Sequence, residues 1–415
     1  MKPKVLILSY DDSSLEGHGY SIWNHLKDDG YEAYFISYVS RYSNETPDFF
    51  IDTKKRFSWN YFVFRLKRRL KFEYKVKDDK SEYCLFNTRY YYHGNAKKIL
   101  KKISVIPDII IITWCDFFIS PKVIYDLYHL TKAKIVISMV DPHFLGGGCH
   151  FPCDCKQYET GCSKCPILEN PEPAKRLFEE KVRYLSNLPM LVAGSPYDVL
   201  RAQKTSFLKN AIFQKIVVAP NIPFFKTKKD ARKRFDIPED NFVLFWGALF
   251  TTDKRKGFSF FIRALEKFSK TLGSRKVSVI VLVKDKIDTN SYDMGDNVIV
   301  VQPGFLDQEG LFSAFYASNV FVSTSIDDSG PMMVNYSIAC GTPVISFPVG
   351  VAVDLVKHGE TGYIAKFMDA DDLSKGFELF YKMDQSNYEK YSENCISLMK
   401  DIKKTNKPWY LNFLQ

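Results

Sequence analysis

The chain alternates short apolar runs with helical stretches, and it does so in two successive series, which restricts it to a parallel α/β architecture. In the first half the runs Val5–Ser9, Ala33–Tyr38, Ile109–Thr113, Ile135–Val140 and Met190–Ala193 read as buried strands. In the second half the corresponding runs are Phe242–Trp246, Val277–Val283, Val298–Val301, Val320–Ser323 and Val344–Phe347. Between the two series Ile216–Ala219 runs into Pro220, Asn221 and Pro223, and a charged, helix-like stretch Lys226–Asp240 follows. A chain of 415 residues exceeds what one core usually holds. The spacing therefore predicts a Rossmann-like domain over residues 1–222, a second over 223–388, and a helical segment over 389–415.

Bulk properties narrow the class. With 46% hydrophobic and 26% charged residues and no low-complexity tract, the chain is globular rather than disordered. The start, MKPKVLILSYDDSS, holds only a four-residue apolar run, shorter than a signal-peptide core, and no apolar segment reaches membrane-spanning length. The expected location is cytoplasmic, with any membrane contact peripheral on the inner face. The net charge of +10 is concentrated in Lys54–Lys77, where Trp59, Phe62, Leu66 and Leu70 recur at helical spacing among the cations. That segment reads either as a core-packed helix with solvated cations or as a docking surface for anionic lipid. No nucleic-acid reading module is visible, so no nucleic-acid partner is expected.

The stretch Asp328–Pro343, DSGPMMVNYSIACGTP, reads as a tight turn feeding a helix that stops at a glycine and a proline. Strand runs flank it, and the helix N-terminus would offer unpaired N–H groups and partial positive charge to an anion. The order of acidic residue, short loop, helix and A-C-G-T-P-V resembles the donor site of family 4 retaining glycosyltransferases. Three further segments match that family in order: EGHGY (Glu16–Tyr20), APNIPFF (Ala219–Phe225) and DKRKGF (Asp253–Phe258). The resemblance implies the GT-B fold, two facing Rossmann-like domains with parallel sheets and a cleft between them, with the C-terminal segment crossing back to the first domain. It also implies a nucleotide-sugar donor, UDP- or GDP-linked, and a glycan or lipid-linked acceptor.

Carried over residue by residue, the resemblance makes Lys256 the diphosphate-binding lysine with Arg255 or Lys254 as its helper, where cations lower the barrier to leaving-group departure. Gly17 and Gly19 would let backbone approach the donor closely, and Ser329, Gly330, Pro331, Met332 and Met333 would form the phosphate-facing loop. The family has two glutamates separated by seven residues. Here those positions hold Asp328, facing the transferred sugar, with Asp327 a neighbouring candidate, and Tyr336, which lacks the bidentate carboxylate suited to ribose hydroxyls. A second departure is Ala248 after Gly247, where many members have arginine. Catalytic assignments fall on Asp328, Lys256 and, on the acceptor side, Asp141, with His143 a weaker candidate; Asp141 reads equally well as a turn stabiliser. The family route is front-face with retention of configuration, and it requires no metal or other cofactor.

Cysteines crowd into GCHFPCDCKQYETGCSKCP, within an insertion near 146–168. In a reducing compartment Cys149, Cys155, Cys162 and Cys165 suit a structural zinc, with reduced buried thiols as the alternative. A surface-polysaccharide subset of the family has a similar insertion, which implies a role in shaping acceptor binding. Two rivals to the transferase reading remain open at the sequence level. One is a non-catalytic GT-B scaffold or partner protein with a degenerate donor site, and the other a zinc-containing nucleic-acid binder.

Overall fold

A computed structural model of the protein describes residues 2–12, 19–40, 48–52, 76–77, 94–114, 118–222 and 226–405. The chain divides into two compact units, one running from the N-terminus through Ile216 and the other beginning at Val217. The basic segment singled out above falls almost wholly outside the described residues, as do Gly17 and residues 406–415, on which the expected crossing back to the first domain would depend.

Among the described residues the first unit is built on a seven-stranded parallel sheet. Its strands are β1 (Val5–Asp11), β2 (Ala33–Ser40), β3 (Asp48–Asp52), β4 (Ile109–Ile112), β5 (Lys134–Ser138), β6 (Met190–Gly194) and β7 (Ile212–Lys215), in spatial order β3-β2-β1-β4-β5-β6-β7. Val5 to Leu8 of β1 and Ile109 to Ile112 of β4 are buried, as expected of central strands covered by helices on both faces. Helix starts follow local chemistry. Ser120 caps the helix Pro121–Thr131 by accepting from the Val123 N–H at 3.2 Å, and Ser195 caps Pro196–Ala202 in the same way.

The second unit carries a six-stranded parallel sheet: β8 (Phe242–Gly247), β9 (Val277–Leu282), β10 (Val298–Val301), β11 (Val320–Ser323), β12 (Val344–Ser346) and β13 (Gly362–Ile364), in order β10-β9-β8-β11-β12-β13. Aromatic packing dominates one face, where Trp246, Phe261, Phe268 and Phe377 are all buried. The helix Gln385–Thr405 begins four residues earlier than the sequence suggests, because Asp384 accepts from the Asn387 N–H at 2.9 Å and starts the helix there. Its Cys395 and Met399 pack into the second unit's other core face.

In each sheet the strand order reverses once, between β1 and β4 in the first and between β8 and β11 in the second. Loops leaving the carboxyl ends of the two strands at such a point diverge and open a crevice, the usual ligand position in open α/β sheets. One group of predicted site residues lies on loops that leave such a place, and another lies one strand away from one. Lys256 and Asp328 follow β8 and β11, and Asp141 follows β5, next to β4.

Candidate functional site

The loop after β8 ends in a short 3-10 turn, Lys254–Lys256, which Asp253 caps by accepting from the Arg255 N–H at 3.1 Å. Gly257 closes it at φ +68°, in the left-handed region that favours glycine. The turn is welded to the loop that follows β11. Thr324 Oγ1 donates to the Lys256 carbonyl at 2.9 Å, and the Ile326 N–H donates to the Arg255 carbonyl at 2.8 Å. Behind them the buried Trp246 donates from its indole N–H to Thr324 Oγ1 at 2.9 Å, tying both loops to the core. A Cβ on Gly257 would stand 2.0 Å from the Thr324 carbonyl oxygen, so the two loops can approach this closely only with glycine there.

This weld brings charges together that are 72 and 73 positions apart in sequence. Arg255 donates to Asp328 Oδ2 at 3.1 Å, and Lys256 Nζ donates to the same oxygen. Arg255 also reaches the Asp327 carbonyl and the Asp253 carboxylate, each at 3.1 Å. The Asp328 side chain is only 10% exposed and that of Arg255 12%, whereas Lys256 reaches solvent at 24%. Burial works to raise the Asp328 carboxyl, but Lys256 and Arg255 outweigh it and hold the group below its ordinary value. The result is an anionic carboxylate clamped between two cations at the carboxyl end of the switch-point strands.

The following loop turns into the helix Met332–Ala339, whose first residues have no side-chain cap. The Gly330 N–H points at Asp328 Oδ1 at 3.4 Å, and the Ser329 hydroxyl is buried without a hydrogen-bond partner among the described residues. Pro331 takes the position before the helix, and Met333 packs on Gly247 at the end of β8, where a Cβ would meet its methyl at 2.9 Å. Gly341, at φ +75°, follows the helix end as the sequence suggests. Tyr336 faces Phe312 edge-on at 5.4 Å between ring centroids, with Phe315 beyond, so its ring belongs to the helix packing. Sequence reasoning missed Asp253 and Thr324, which position the cations, and Gly350, whose left-handed backbone lies against Asp328 and Pro331. Only the D-x-x-K-G spacing of Asp253 carried a readable signal, a short capped turn.

In the first unit a cavity of about 60 Å³ lies at the ends of β4 and β5, lined by Thr113, Trp114, Ser138, Asp141, His143 and Lys181 among others. Asp141 caps the turn Pro142–Phe144 through the His143 N–H at 2.9 Å, and its other oxygen meets His150 Nδ1 at 2.8 Å. The His143 and His150 rings stack at 4.7 Å. Asp141 thus makes the turn contact that was the alternative to its acceptor-side role, together with a partner, His150, that the sequence did not single out for it. Gly19 opens the helix Gly19–Asp28, and a Cβ there would press on Phe35, Ile7 and Ser9 at 3.0–3.1 Å. Its observed role is helix-to-sheet packing.

Cys149, Cys155, Cys162 and Cys165 all line one small cavity of about 10 Å³, and Cys153 does not. Yet among the described residues no group of three or more His, Cys, Asp or Glu is arranged to hold a metal ion. The predicted ligand set is brought to one cavity without forming a finished coordination sphere. No helix among the described residues is long and apolar enough to cross a membrane.

Comparison with known proteins agrees with this architecture. Residues 227–408 match the family described as Glycosyl transferases group 1. An uncharacterized glycosyltransferase of Methanocaldococcus jannaschii is 23% identical over 189 residues, a match spanning 42% of this chain and 47% of that protein. The chain thus aligns with about half the length of this curated relative. Among solved structures, sucrose-phosphate synthase from Thermosynechococcus elongatus superposes with a TM-score of 0.61 at 16% identity, covering 97% of this chain and 95% of that one. The Anabaena protein HepE in complex with UDP gives 0.60 at 12% identity, covering 99% of both chains. The fold is GT-B, and the second unit carries the group 1 glycosyl transferase match.

Proposed function

We propose that this chain is a retaining glycosyltransferase of the family 4 type, moving a sugar from a nucleotide-sugar donor to a polysaccharide or lipid-linked acceptor. The observation that carries the reading is the convergence of Arg255, Lys256 and Asp328 at the β8/β11 switch point. Departure of the nucleoside diphosphate breaks the bond between the anomeric carbon and the phosphate oxygen and leaves the electron pair on that oxygen. Cations already fixed at the spot stabilise this charge without reorganising as it forms. Lys256, the more exposed of the two, takes the diphosphate, and Arg255 stays anchored to Asp253 and the Asp327 carbonyl while adding its field.

Asp328 then has two states. Without donor its carboxylate neutralises both cations; with donor the diphosphate takes over that task, and the carboxylate is released towards the sugar hydroxyls. In the front-face route the departing phosphate itself accepts the acceptor proton, so no protein base is needed on the donor side. The HepE structure holds UDP, which supports UDP- over GDP-linked donors as the first to try. Acceptor recognition is assigned to the first unit, with Asp141 at its cavity, and the surface-polysaccharide setting, cytoplasmic location and peripheral membrane contact belong to the same proposal.

The packing of Tyr336 against Phe312 and Phe315 favours a second reading, a non-catalytic scaffold, because no carboxylate stands at the expected ribose position. A thermal-shift panel with UDP, GDP, ADP and their sugar conjugates separates the two. Binding at a hundred times Kd adds about 2.7 kcal/mol, a shift of several degrees. One clear responder, lost in Lys256→Ala along with sugar transfer, is expected, whereas a flat panel with no transfer to any glycan would overturn the transferase reading.

A further inference from the structure

The cysteine-rich insertion is not used by the donor chemistry, yet its backbone is built around its sulfurs. The Gly147 N–H points at Cys162 Sγ at 3.1 Å, and the Gln157 N–H at Cys155 Sγ at 3.4 Å. Cys162 itself sits at φ +53°, an uncommon conformation for a residue with a side chain, and the loop holds it there. The Gln157 carbonyl accepts from both the Gly161 and Cys162 N–H groups at 3.0 Å, and its side-chain oxygen accepts from the Lys164 N–H at 3.2 Å, next to Cys165. One residue thus organises the approach of the last two cysteines. A Cβ on Gly146 would lie at ordinary contact distance from two of these sulfurs, 3.5 Å from Cys149 Sγ and 3.8 Å from Cys162 Sγ, so this turn runs beside both.

The insertion is also pinned to the body of its unit. Lys181, buried in the helix Glu172–Leu185, donates to the carbonyls of His143, Phe144 and Gly146 at 3.1, 2.9 and 2.6 Å. Gly147 lies so close to that helix that a Cβ would meet the Ala174 carbonyl oxygen at 2.3 Å. Between these anchors and the sulfur-lined cavity the chain carries His150, which meets Asp141.

We propose that Cys149, Cys155, Cys162 and Cys165 form a structural tetrathiolate site for Zn²⁺, which locks the segment that delivers His150 to Asp141. The cavity of about 10 Å³ has room for one water-sized sphere, and soft thiolates select zinc among abundant divalent ions. Binding releases one proton from each thiol to solvent and draws the sulfurs to about 2.3 Å from the ion. The four side chains line the cavity but are not yet arranged as a coordination sphere, so ligation needs them to close on the ion. Backbone N–H groups aimed at Cys155 and Cys162 would then stabilise the thiolates. Cys153, at φ +51° and outside the cavity lining, is the internal control.

The test uses the full chain, purified under reducing conditions without chelator, with metal measured by mass spectrometry. About one zinc per chain is expected. It should be kept in Cys153→Ser and lost in the Cys162→Ser, Cys165→Ser double variant, in which limited proteolysis should cut within residues 146–168. Because that variant could fail to fold, Co²⁺ is also titrated into the stripped wild-type protein, where a tetrahedral tetrathiolate gives intense visible absorption. Absence of zinc together with no such spectrum would overturn the proposal, as would full zinc content in a folded double variant.

Discussion

Replacing Gly257 with alanine tests whether the weld between the β8 and β11 loops makes the site. Two penalties apply. The left-handed backbone at φ +68° costs a residue with a Cβ about 1–2 kcal/mol, reduced by the roughly 0.4–1 kcal/mol gained from a stiffer unfolded chain. The greater penalty is steric: a Cβ 2.0 Å from the Thr324 carbonyl oxygen forces two stretches of backbone apart by about an ångström, since contacts under 3.0 Å are essentially never seen. That separation breaks the Thr324 Oγ1 bond to the Lys256 carbonyl and the Ile326 N–H bond to the Arg255 carbonyl, each worth about 1 kcal/mol. Together the loss is about 3 kcal/mol. At roughly 2–4 °C per kcal/mol for a unit of this size, the unfolding midpoint of the second unit should fall by about 6–12 °C. The assay is thermal unfolding with and without the responding nucleotide, and Gly273→Ala, where a Cβ meets nothing within 4 Å, is the matched control. A Gly257→Ala midpoint within a degree or so of the control would refute the argument. So would a nucleotide response that survives unchanged, since Arg255 and Lys256 must move with the turn.

Three further outcomes are expected. Asp328→Asn removes the carboxylate that holds Arg255 and Lys256 and should cost about 1–3 kcal/mol in chemical denaturation, with Arg255 keeping its Asp253 and Asp327 contacts; unchanged stability would mean the pairs carry no energy. Because the folded-state Asp328 carboxyl titrates below its unfolded value, its contribution is full above about pH 4 and is lost as pH falls through the lower folded value, so the acid limb of the stability curve should be shallower in Asp328→Asn than in wild type. Lys181→Met leaves the carbonyls of His143, Phe144 and Gly146 without their cation and should destabilise the first unit by about 2–4 kcal/mol, read as a lowered midpoint and faster proteolysis near residue 150, whereas a wild-type midpoint would show that water replaces the ammonium at no cost.

What the sequence revealed and what it hid follow burial. Central strands such as β1, β4, β8 and β11 are continuous apolar runs because helices cover both faces, and each was legible. The strands not foreseen, β3, β7 and β13, are all sheet edges. Ile212 in β7 is largely exposed and β13 has only three residues, so neither needs the composition that marks a buried strand. The site shows the same asymmetry. Lys256, Asp328 and the cysteine set were visible as local patterns. Their supports, Thr324, Gly350 and the Asp141–His150 contact, act through contacts between segments or through backbone conformation, and no local spacing encodes them.

The placement of Asp328 also bears on the proposed function, under which aspartate stands where the pattern it resembles has glutamate. Its carboxylate is held at both ends, by Lys256 and Arg255 on Oδ2 and by the Gly330 N–H on Oδ1, and the main chain on either side is fixed by the Ile326 bond to Arg255 and by Gly350. A side chain one methylene shorter reaches both cations only because Gly257 lets their turn dock so closely on the β11 loop. The longer glutamate would have to fold back into a pocket where the side chain is already only 10% exposed. Asp328→Glu should therefore lower stability rather than restore a better site, by about 1–3 kcal/mol if overpacking dominates. A Glu variant more stable than wild type, with tighter nucleotide binding, would show instead that the aspartate is a weakened donor contact and that the close docking at Gly257 serves only the fold.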